Sequence, residues 1–329
     1  MRAVAPGRVN LIGDHTDYTG GLVLPMAIDR ATVVEGEPGG ATVTLTSATE
    51  PEAATVALDV ADARTVEPAW ARYVAGVVTV VRPTTGFVGR VSTSIPVGAG
   101  LSSSAALEVA VALALGHDPD PLPLALACQR AEHLASGVPC GVMDQLTSAA
   151  AQEGHALLID CSSLAVEPVP VPPSVEVVVV DSGERRRLAE SAYGERRRRC
   201  EAAAALIGPL NRADATAVAG IADPAVRAAA RHVVGENERV RLFAAALSAG
   251  TLDECGRLML ESHASLRDDL EVSTPGLDAL VEDLSAIPGV YGARLTGAGF
   301  GGCVVALAQP GALGRGWRVR PAAGARVEG

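Results

Sequence analysis

Residues 96–106, PVGAGLSSSAA, lead from a strand-like stretch through a glycine-rich loop directly into an Ala/Leu-rich helical segment. This order restricts the fold, because a strand must be followed by a glycine-rich loop that ends at the N-terminus of a helix. Glycines let the backbone approach a ligand closely, and the first helical turn presents unpaired N–H groups and positive dipole potential. The segment therefore suits a phosphate, with serine hydroxyls that can reach the phosphate or a magnesium ion. A glycine turn whose serines cap the helix explains the same residues, and local physics favours neither interpretation.

A second glycine-rich loop, GAGFGG at residues 297–302, matches the pattern G-x-G-x-x-G. A dinucleotide-binding fingerprint requires a helix after the glycines, whereas strand-like CVVALA follows here. A protein-kinase loop of this pattern lies near the N-terminus and is followed by a lysine and by H-R-D and D-F-G motifs, which the sequence lacks. Considered without the other motifs, this glycine pattern predicts only that the backbone of the loop lies close to another part of the fold.

The length of 329 residues suggests two domains. The proline-rich stretch VPVPPS, residues 169–174, is the best boundary, which predicts an N-terminal domain at 1–172 and a C-terminal domain at 173–329. We expect a β-rich start, a long helical region over about 186–266, and a strand, glycine loop and strand near the end. The closing segment, GALGRGWRVRPAAGARVEG, is expected to be loop-rich and partly disordered.

All 27 basic residues are arginine, and the sequence contains no lysine. Mechanisms that depend on a lysine are therefore excluded: the P-loop, the protein-kinase strand lysine, Schiff-base chemistry and Ser–Lys hydrolysis. A chain of this composition that handles a nucleotide must hold the phosphates with backbone N–H groups, arginine and metal.

A net charge of −11 argues against nucleic acid as a partner. The arginine runs at 185–187 and 196–199 are interpreted as a solvated, ion-paired helix face rather than a phosphate-binding patch. No apolar run approaches the roughly 20 residues of a membrane span, and the N-terminus lacks a signal core, so we expect no membrane partner and a cytoplasmic location. The six cysteines show no CxxC pair, which is typical of reduced, mostly buried thiols rather than a zinc site.

The stretch NLIGDHTDYTGG, residues 10–21, concentrates hydrogen-bonding side chains on one short loop. A metal site formed by Asp14, His15 and Asp17 is disfavoured because the spacing is too tight for the three to converge on one ion. A lone histidine is more often structural than catalytic. A sugar suits the cluster better, since Asp and His accept from and donate to several hydroxyls in fixed directions.

Two further carboxylates each allow two interpretations. Asp144, in PCGVMDQ, is either a helix-capping residue or a general base with Arg8 as its charge partner. Glu132, in RAEHLASG, is either a surface residue or a magnesium ligand.

Together, three segments resemble the three motifs of the GHMP kinase superfamily: GRVNLIGDHTDY, PVGAGLSSSAALEVA and LTGAGFGGCVVAL. Within that superfamily, the first segment resembles the galactokinase signature. The similarity extends to AWARYVAGV, AEHLASGVPCGVMDQ and ESAYGERRRRCEAA, and it runs in order from about residue 3 to 303. The resemblance implies an α+β fold of two domains, with the active site in the cleft between them.

The resemblance also implies roles at matching positions. Arg8 and Asp144 correspond to the catalytic pair, in which the aspartate accepts a proton from the anomeric hydroxyl of the sugar. The residues implied to bind the sugar are Asp14, His15, Thr16, Asp17, Gly141 and Tyr193. Those implied to bind the nucleotide are Trp70, Gly98, Ala99, Gly100, Leu101, Ser102, Ser103 and Ser104. Mg²⁺ is implied to lie on Ser104 and Glu132.

The activity that the resemblance implies is transfer of phosphate from ATP to the anomeric hydroxyl of galactose, with no obligate protein partner. One departure from the family is Asp14, where galactokinases commonly have Glu. A kinase for arabinose or N-acetylgalactosamine is therefore an alternative. A galactokinase-like sugar sensor without turnover is another, but the complete GLSSSAA motif and the presence of Asp144 disfavour it.

Overall fold

The computed structural model describes residues 1–96, 98–184 and 189–328. The arginine run at 185–187 lies outside the described residues. The strands are β1 Arg2–Asn10, β2 Leu22–Val23, β3 Pro25–Pro38, β4 Thr42–Ser47, β5 Ala54–Ala57, β6 Phe87–Thr93, β7 His155–Asp160, β8 Ala165–Pro170, β9 Glu176–Asp181, β10 Val290–Thr296, β11 Cys303–Ala308, β12 Trp317–Val319 and β13 Arg326–Glu328. The helices are α1 Ala71–Val81, α2 Ser103–Ala114, α3 Pro121–Ser136, α4 Met143–Ala150, α5 Ala189–Ile207, α6 Ala215–Ala219, α7 Pro224–Ala249, α8 Leu252–Asp268 and α9 Pro275–Ser285.

A six-stranded sheet forms the first layer, in the order β13-β1-β3-β6-β4-β5. Helix α2 packs on β1 and β3, and it also contacts α1, α3 and α4. Apart from its serines, α2 is almost entirely Ala, Val and Leu, so it can be surrounded on every side. The N-terminus of α2 is thereby held at a fixed place beside the sheet.

A four-stranded sheet, in the order β10-β11-β9-β12, forms the second layer. Its inner strands carry the continuous apolar runs of EVVVVD and CVVALA, and they are buried almost throughout. Helices α8 and α9 pack on β10, and α7 packs against both α5 and α8. A small sheet, β2-β7-β8, adjoins the first layer through β3 and contacts α7.

The closing segment is loop-rich, as expected, but it also contains two short strands that the sequence did not predict. Trp317 of β12 pairs with Val179 in β9. Val327 of β13 pairs with Ala3 in β1. Strands of three residues are too short to show a periodic pattern in the sequence, and they depend on edges that only the folded sheets supply.

The other predicted elements are confirmed, including the helix after the serine run and the strand, glycine loop and strand near the end. Mixed helices and sheets confirm the α+β class. Within the described residues, no helix combines the length and the apolar character that crossing a membrane requires.

Candidate active site

A cavity of about 540 Å³ opens where the loop before α2, the loop after β1 and the loop between β10 and β11 meet. Thirteen of the predicted site residues line it: Arg8, Asp14, His15, Asp17, Gly98, Gly100, Ser102, Ser103, Ser104, Glu132, Gly141, Asp144 and Tyr193. The loop between β10 and β11, residues 297–302, is the third of these loops along the chain (the third glycine loop), and it contributes Gly297 and Ala298 to the same wall. Residues that are far apart in the sequence therefore share one site.

Four predicted residues do not line this cavity. The hydroxyl of Thr16 lies 2.7 Å from the carbonyl of Gly13 and 2.6 Å from that of Leu22, so it stabilises its own loop. Trp70 lies before α1 and donates its indole N–H to a backbone carbonyl at 3.1 Å. Ala99 and Leu101 have buried side chains. These four side chains therefore lie outside the wall of this cavity.

Arg8 and Asp144 form a bidentate ion pair. The Arg8 Nε donates to Oδ1 of Asp144 at 2.8 Å, and the second terminal nitrogen lies 2.6 Å from Oδ2. The remaining terminal nitrogen of Arg8 donates to the carbonyl of Gly100 at 2.7 Å. The predicted pairing is confirmed, and the capping interpretation of Asp144 is wrong, because its carboxylate is held by the guanidinium in the first turn of α4. A two-point contact of this kind fixes the orientation of the carboxylate.

Ser102 has a different contact from the predicted helix cap. It precedes α2 with a positive φ of 57° and makes no capping hydrogen bond. Its hydroxyl instead donates to Oδ2 of Asp144. The capping interpretation is therefore wrong for this serine, because the left-handed backbone turns its side chain toward α4.

Gly7 brings the loop before α2 onto β1. The pairing of β1 with β3 shifts register between Pro6 and Arg8, and the N–H of Arg8 donates to the carbonyl of Leu101 at 3.1 Å. A β carbon on Gly7 would lie 2.7 Å from that carbonyl oxygen. A glycine is therefore needed where the strand carrying Arg8 meets the loop.

The loop after β1 is shaped by residues in the left-handed region. Gly13 has φ 98° and His15 has φ 66°, and a short 3-10 helix, Asp17–Thr19, follows. His15 is held by Tyr18, whose hydroxyl is 3.0 Å from Nδ1, and by the carbonyl of Ala298, 3.2 Å from Nε2. Since a carbonyl can only accept, Nε2 carries the proton and Nδ1 accepts from the tyrosine.

His15 is neutral at physiological pH. Burial and the positive potential of neighbouring His232 and arginines lower its pKa to about 3. The ring of Tyr193, from α5, lies 5.5 Å from the ring of His15. The histidine therefore joins this loop to α5 and to the third glycine loop as an uncharged group.

Asp17 is a cavity-lining carboxylate whose environment opposes its ionisation. Burial and the nearby charge of Asp144 raise its pKa to about 6. A β carbon on Gly141 would overlap the Asp17 carboxylate, so glycine is required at that position. Gly141 and Asp17 therefore pack closely in the cavity wall, and a larger residue at position 141 would clash with the Asp17 carboxylate.

Three buried polar residues of α7 support the loop, and none was predicted. His232 Nε2 lies 3.0 Å from the carbonyl of Asp14, Glu236 accepts from the N–H of Gly13 at 3.0 Å, and Asn237 accepts from the N–H of Leu22 at 2.7 Å. The signal in the sequence is a set of polar residues spaced by four and one positions within the Ala/Val-rich ARHVVGEN. The spacing of four places His232 and Glu236 on one helix face.

Asp14 joins the first loop to the third. Its Oδ1 accepts from the N–H of Gly297 at 2.8 Å, and its Oδ2 lies 2.6 Å from a terminal nitrogen of buried Arg294, outside hydrogen-bond geometry. Arg294 also donates to the carbonyl of Leu11 at 3.2 Å. The carboxylate of Asp14 is thus engaged by protein groups on both oxygens.

Glu132 also lines the cavity, and its Oε1 accepts from the hydroxyl of Ser104 at 3.2 Å. Burial and the charge of Asp144 raise the pKa of Glu132 to about 7. The interpretation of Glu132 as an ordinary surface residue is wrong. Across the described chain, no group of three or more His, Cys, Asp or Glu side chains could hold a metal ion. A cation held here by Ser104 and Glu132 would take its remaining oxygens from a bound ligand or from water.

The arginine run at 196–199 divides into two kinds of contact. Arg197 and Arg199 form ion pairs with Glu201 and Glu195, as a solvated face would. Arg196 differs, because it is 9% exposed, donates to backbone at Leu270 and Glu271, and lies 5.8 Å from the ring centroid of Phe300. The expectation of a solvated face is wrong for Arg196, which instead packs on the third glycine loop.

Three models of known protein families match this chain. The galactokinase galactose-binding signature matches residues 1–38, the GHMP kinase N-terminal domain matches residues 72–152, and the GHMP kinase C-terminal domain matches residues 243–318. Human galactokinase is 47% identical over 325 residues, which cover 93% of this chain and 83% of the relative. The chain belongs to the galactokinase family.

Other relatives support the same placement. The galactokinase of Roseiflexus sp. is 45% identical over 324 residues, covering 93% of this chain and 82% of the relative. The crystal structure of Lactococcus lactis galactokinase complexed with galactose superposes with a TM-score of 0.89 at 31% identity, covering 99% of this chain and 94% of that one. The fold is therefore the two-domain GHMP kinase fold, as found in galactokinases.

Proposed function

We propose that this galactokinase-family chain transfers the γ-phosphoryl group of ATP to the anomeric hydroxyl of galactose, releasing galactose 1-phosphate and ADP. The observation that carries the proposal is the Arg8–Asp144 pair, set in a cavity between a hydroxyl-binding loop and a helix N-terminus. Phosphoryl transfer needs mainly positioning and charge stabilisation, which this arrangement supplies.

Asp144 is proposed as the general base. Arg8 and Ser102 hold its carboxylate in one orientation, and Asp144 lines the cavity. The anomeric hydroxyl gives its proton to Asp144 as its oxygen bonds to the γ-phosphorus, and the bond to the ADP oxygen breaks. Arg8 stays charged and stabilises the negative charge that accumulates at the reacting oxygens.

The sugar is proposed to bind between Asp14, His15, Asp17 and Tyr193, with Gly141 leaving room beside Asp17. Both ring nitrogens of His15 already have protein partners, and both oxygens of Asp14 lie against protein groups. Asp17 is therefore the carboxylate proposed to accept hydrogen bonds from the sugar hydroxyls. A site built to hydrogen-bond a hydroxyl rejects an analogue that leaves its polar groups unpaired. Asp17 is therefore expected to decide which sugar epimer binds.

The nucleotide is proposed to bind along Gly98–Ser104, with its phosphates at the N-terminus of α2. Unpaired N–H groups and the helix dipole stabilise phosphate there without a lysine. The hydroxyl of Ser104 and the carboxylate of Glu132 lie within 3.2 Å of each other, and hard oxygen donors suit Mg²⁺. These two residues would hold the ion, which would neutralise phosphate charge.

Four further expectations remain predictions: a domain boundary at residues 172 and 173, a cytoplasmic location, a nucleotide contact by Trp70 and independence from a protein partner.

The test is an ADP-release assay on the purified chain with galactose, arabinose, N-acetylgalactosamine, glucose and mevalonate. We expect turnover that is highest with galactose, and galactose binding that Asp17→Ala weakens while ATP affinity stays unchanged. Preferred turnover of another sugar would assign the chain to a related kinase. Sugar and ATP binding without ADP release would identify a sensor and contradict the proposal.

A further inference from the structure

A polar cluster lies behind the proposed metal-binding carboxylate, at the meeting point of three helices. Gln145 of α4 donates through Nε2 to Oε2 of Glu108 on α2 at 3.1 Å, and the same nitrogen contacts Oε2 of Glu132 on α3. Gln145 and Glu108 are both 0% exposed. The cavity therefore has a fully buried polar support directly behind one of its lining residues.

The two oxygens of Glu132 are held from two sides. Ser104 donates to Oε1 from the first turn of α2, and Gln145 donates to Oε2 from α4. A glutamate side chain has three rotatable bonds, so a single contact would leave its carboxylate free to turn. Two contacts from separate helices fix its plane relative to the phosphate-binding end of α2.

Burying this polar cluster lowers the stability of the fold, so we expect it to have a function. Oε1 of Gln145 and Oε1 of Glu108 are buried without a hydrogen-bond partner. Buried polar groups that are only partly satisfied destabilise a core, and apolar side chains of similar volume commonly pack as well or better. The surrounding faces of α2 are Ala, Val and Leu, which would accommodate such an apolar replacement.

The neighbour of Gln145 in the sequence is the proposed base. Asp144 faces the cavity, while Gln145, one residue on, points between α2 and α3. One turn of α4 thus carries both groups, so the position of the carboxylate on α3 is tied to that of the base. Groups behind a metal ligand commonly set its orientation, and their loss typically weakens metal affinity or activity by about 10- to 100-fold.

We propose that Gln145 is a positioning residue that aligns the Glu132 carboxylate for the magnesium ion of MgATP, and that Glu108 anchors Gln145. The inference rests on the proposed metal site at Ser104 and Glu132. It predicts that removing the Gln145 amide lowers the gain in nucleotide affinity that Mg²⁺ confers, without lowering the affinity for galactose or for metal-free nucleotide.

The test measures ADP binding by calorimetry with and without Mg²⁺, in the absence of galactose, so that no turnover is involved. Gln145→Met keeps the length of the side chain and removes the donor. We expect the Mg²⁺-dependent gain in ADP affinity to fall by about 10-fold, and the affinities for galactose and metal-free ADP to stay within about 2-fold. Gln152→Met, an exposed glutamine just after the same helix, serves as the matched control and should change none of these values.

Further variants keep the proposal testable if Gln145→Met does not fold. Gln145→Asn retains an amide but withdraws it by one methylene, and the same loss of the Mg²⁺ effect is expected. Glu108→Gln still offers an acceptor to Gln145 and should preserve the effect, whereas Glu108→Leu should reduce it. A lower melting temperature with an unchanged Mg²⁺ effect in the Gln145 variants would show a structural role and overturn the inference.

A parallel titration of Glu132→Gln separates this inference from the proposed function. If Glu132→Gln removes the Mg²⁺ effect and the Gln145 variants do not, the metal site stands and the positioning role is wrong. If Glu132→Gln has no effect, the metal site itself is wrong and the inference fails with it.

Discussion

At the scale of single residues, two carboxylates in one cavity are prepared for different tasks. Asp144 is bound by the Arg8 guanidinium and the Ser102 hydroxyl, which fix the orientation of its carboxylate. Asp17 lies close by, where burial and the charge of Asp144 raise its pKa to about 6. The first carboxylate is oriented to accept a proton, and the second is a buried carboxylate whose charged form a polar ligand would stabilise.

The raised pKa of Asp17 predicts a pH-dependent stability. Its folded pKa of about 6 exceeds the unfolded value of 3.8, so its contribution is fully present below about pH 4 and is lost as pH rises through 6. We therefore expect Asp17→Asn to stabilise the sugar-free protein at pH 7.5, by no more than about 3 kcal/mol, and by only about a third of that amount at pH 4.5. Urea unfolding at both pH values measures this, with exposed Asp283→Asn as the control. An equal effect of Asp17→Asn at the two pH values would contradict the assignment.

At the scale of elements, the sequence predicted most of the helices and strands, and three loops, but not how the loops are supported. Glycine and serine patterns mark the loop before α2, because a close backbone approach and a helix start need those residue types locally. The contacts of His232 and Asn237 join positions more than two hundred residues from their partners, so the local polar pattern marks these residues but does not show what they contact. The same holds for Ser102, whose hydroxyl contact depends on where α4 packs.

Helix α7 is predicted to hold the loop after β1, the proposed sugar-binding loop, through Asn237. Asn237→Ala leaves the N–H of Leu22 buried without its acceptor, which costs about 1–3 kcal/mol. We expect a higher KM for galactose, a smaller change in kcat and an unchanged KM for ATP, measured by steady-state kinetics. Glu238→Ala, on the exposed face of the same helix, is the control. Equal KM values for galactose in the two variants would show that α7 does not support the loop.

At the scale of the whole molecule, the chain ends by pairing with its own beginning. Strand β13 adds to the edge of β1, and Arg2 is ion-paired with Glu328. Arg8 lies toward the other end of β1, on the cavity. The terminal strand therefore covers a sheet edge without contributing a side chain to the site.

Removal of residues 326–329 should lower stability and leave catalysis intact. The truncated chain loses the β13 ladder and the Arg2–Glu328 ion pair, so we expect the melting temperature to fall by several degrees, measured by calorimetry. Glu328→Gln keeps the strand and removes the charge, and it should cost less than about 1 kcal/mol. A large loss of kcat in the folded truncated protein would mean that the edge strand influences the site.

The central claim is that Asp144 acts as the base in a phosphoryl transfer to a sugar. The most direct measurement is kcat of Asp144→Asn in the ADP-release assay, with galactose and ATP affinities determined by calorimetry on the same preparation. Asn keeps the shape of the side chain and removes its basicity, so the account predicts a fall in kcat of about 10²- to 10⁴-fold with both ligands still bound. Asp283→Asn should keep wild-type turnover. A folded Asp144→Asn protein that turns over galactose at nearly the wild-type rate would contradict the account.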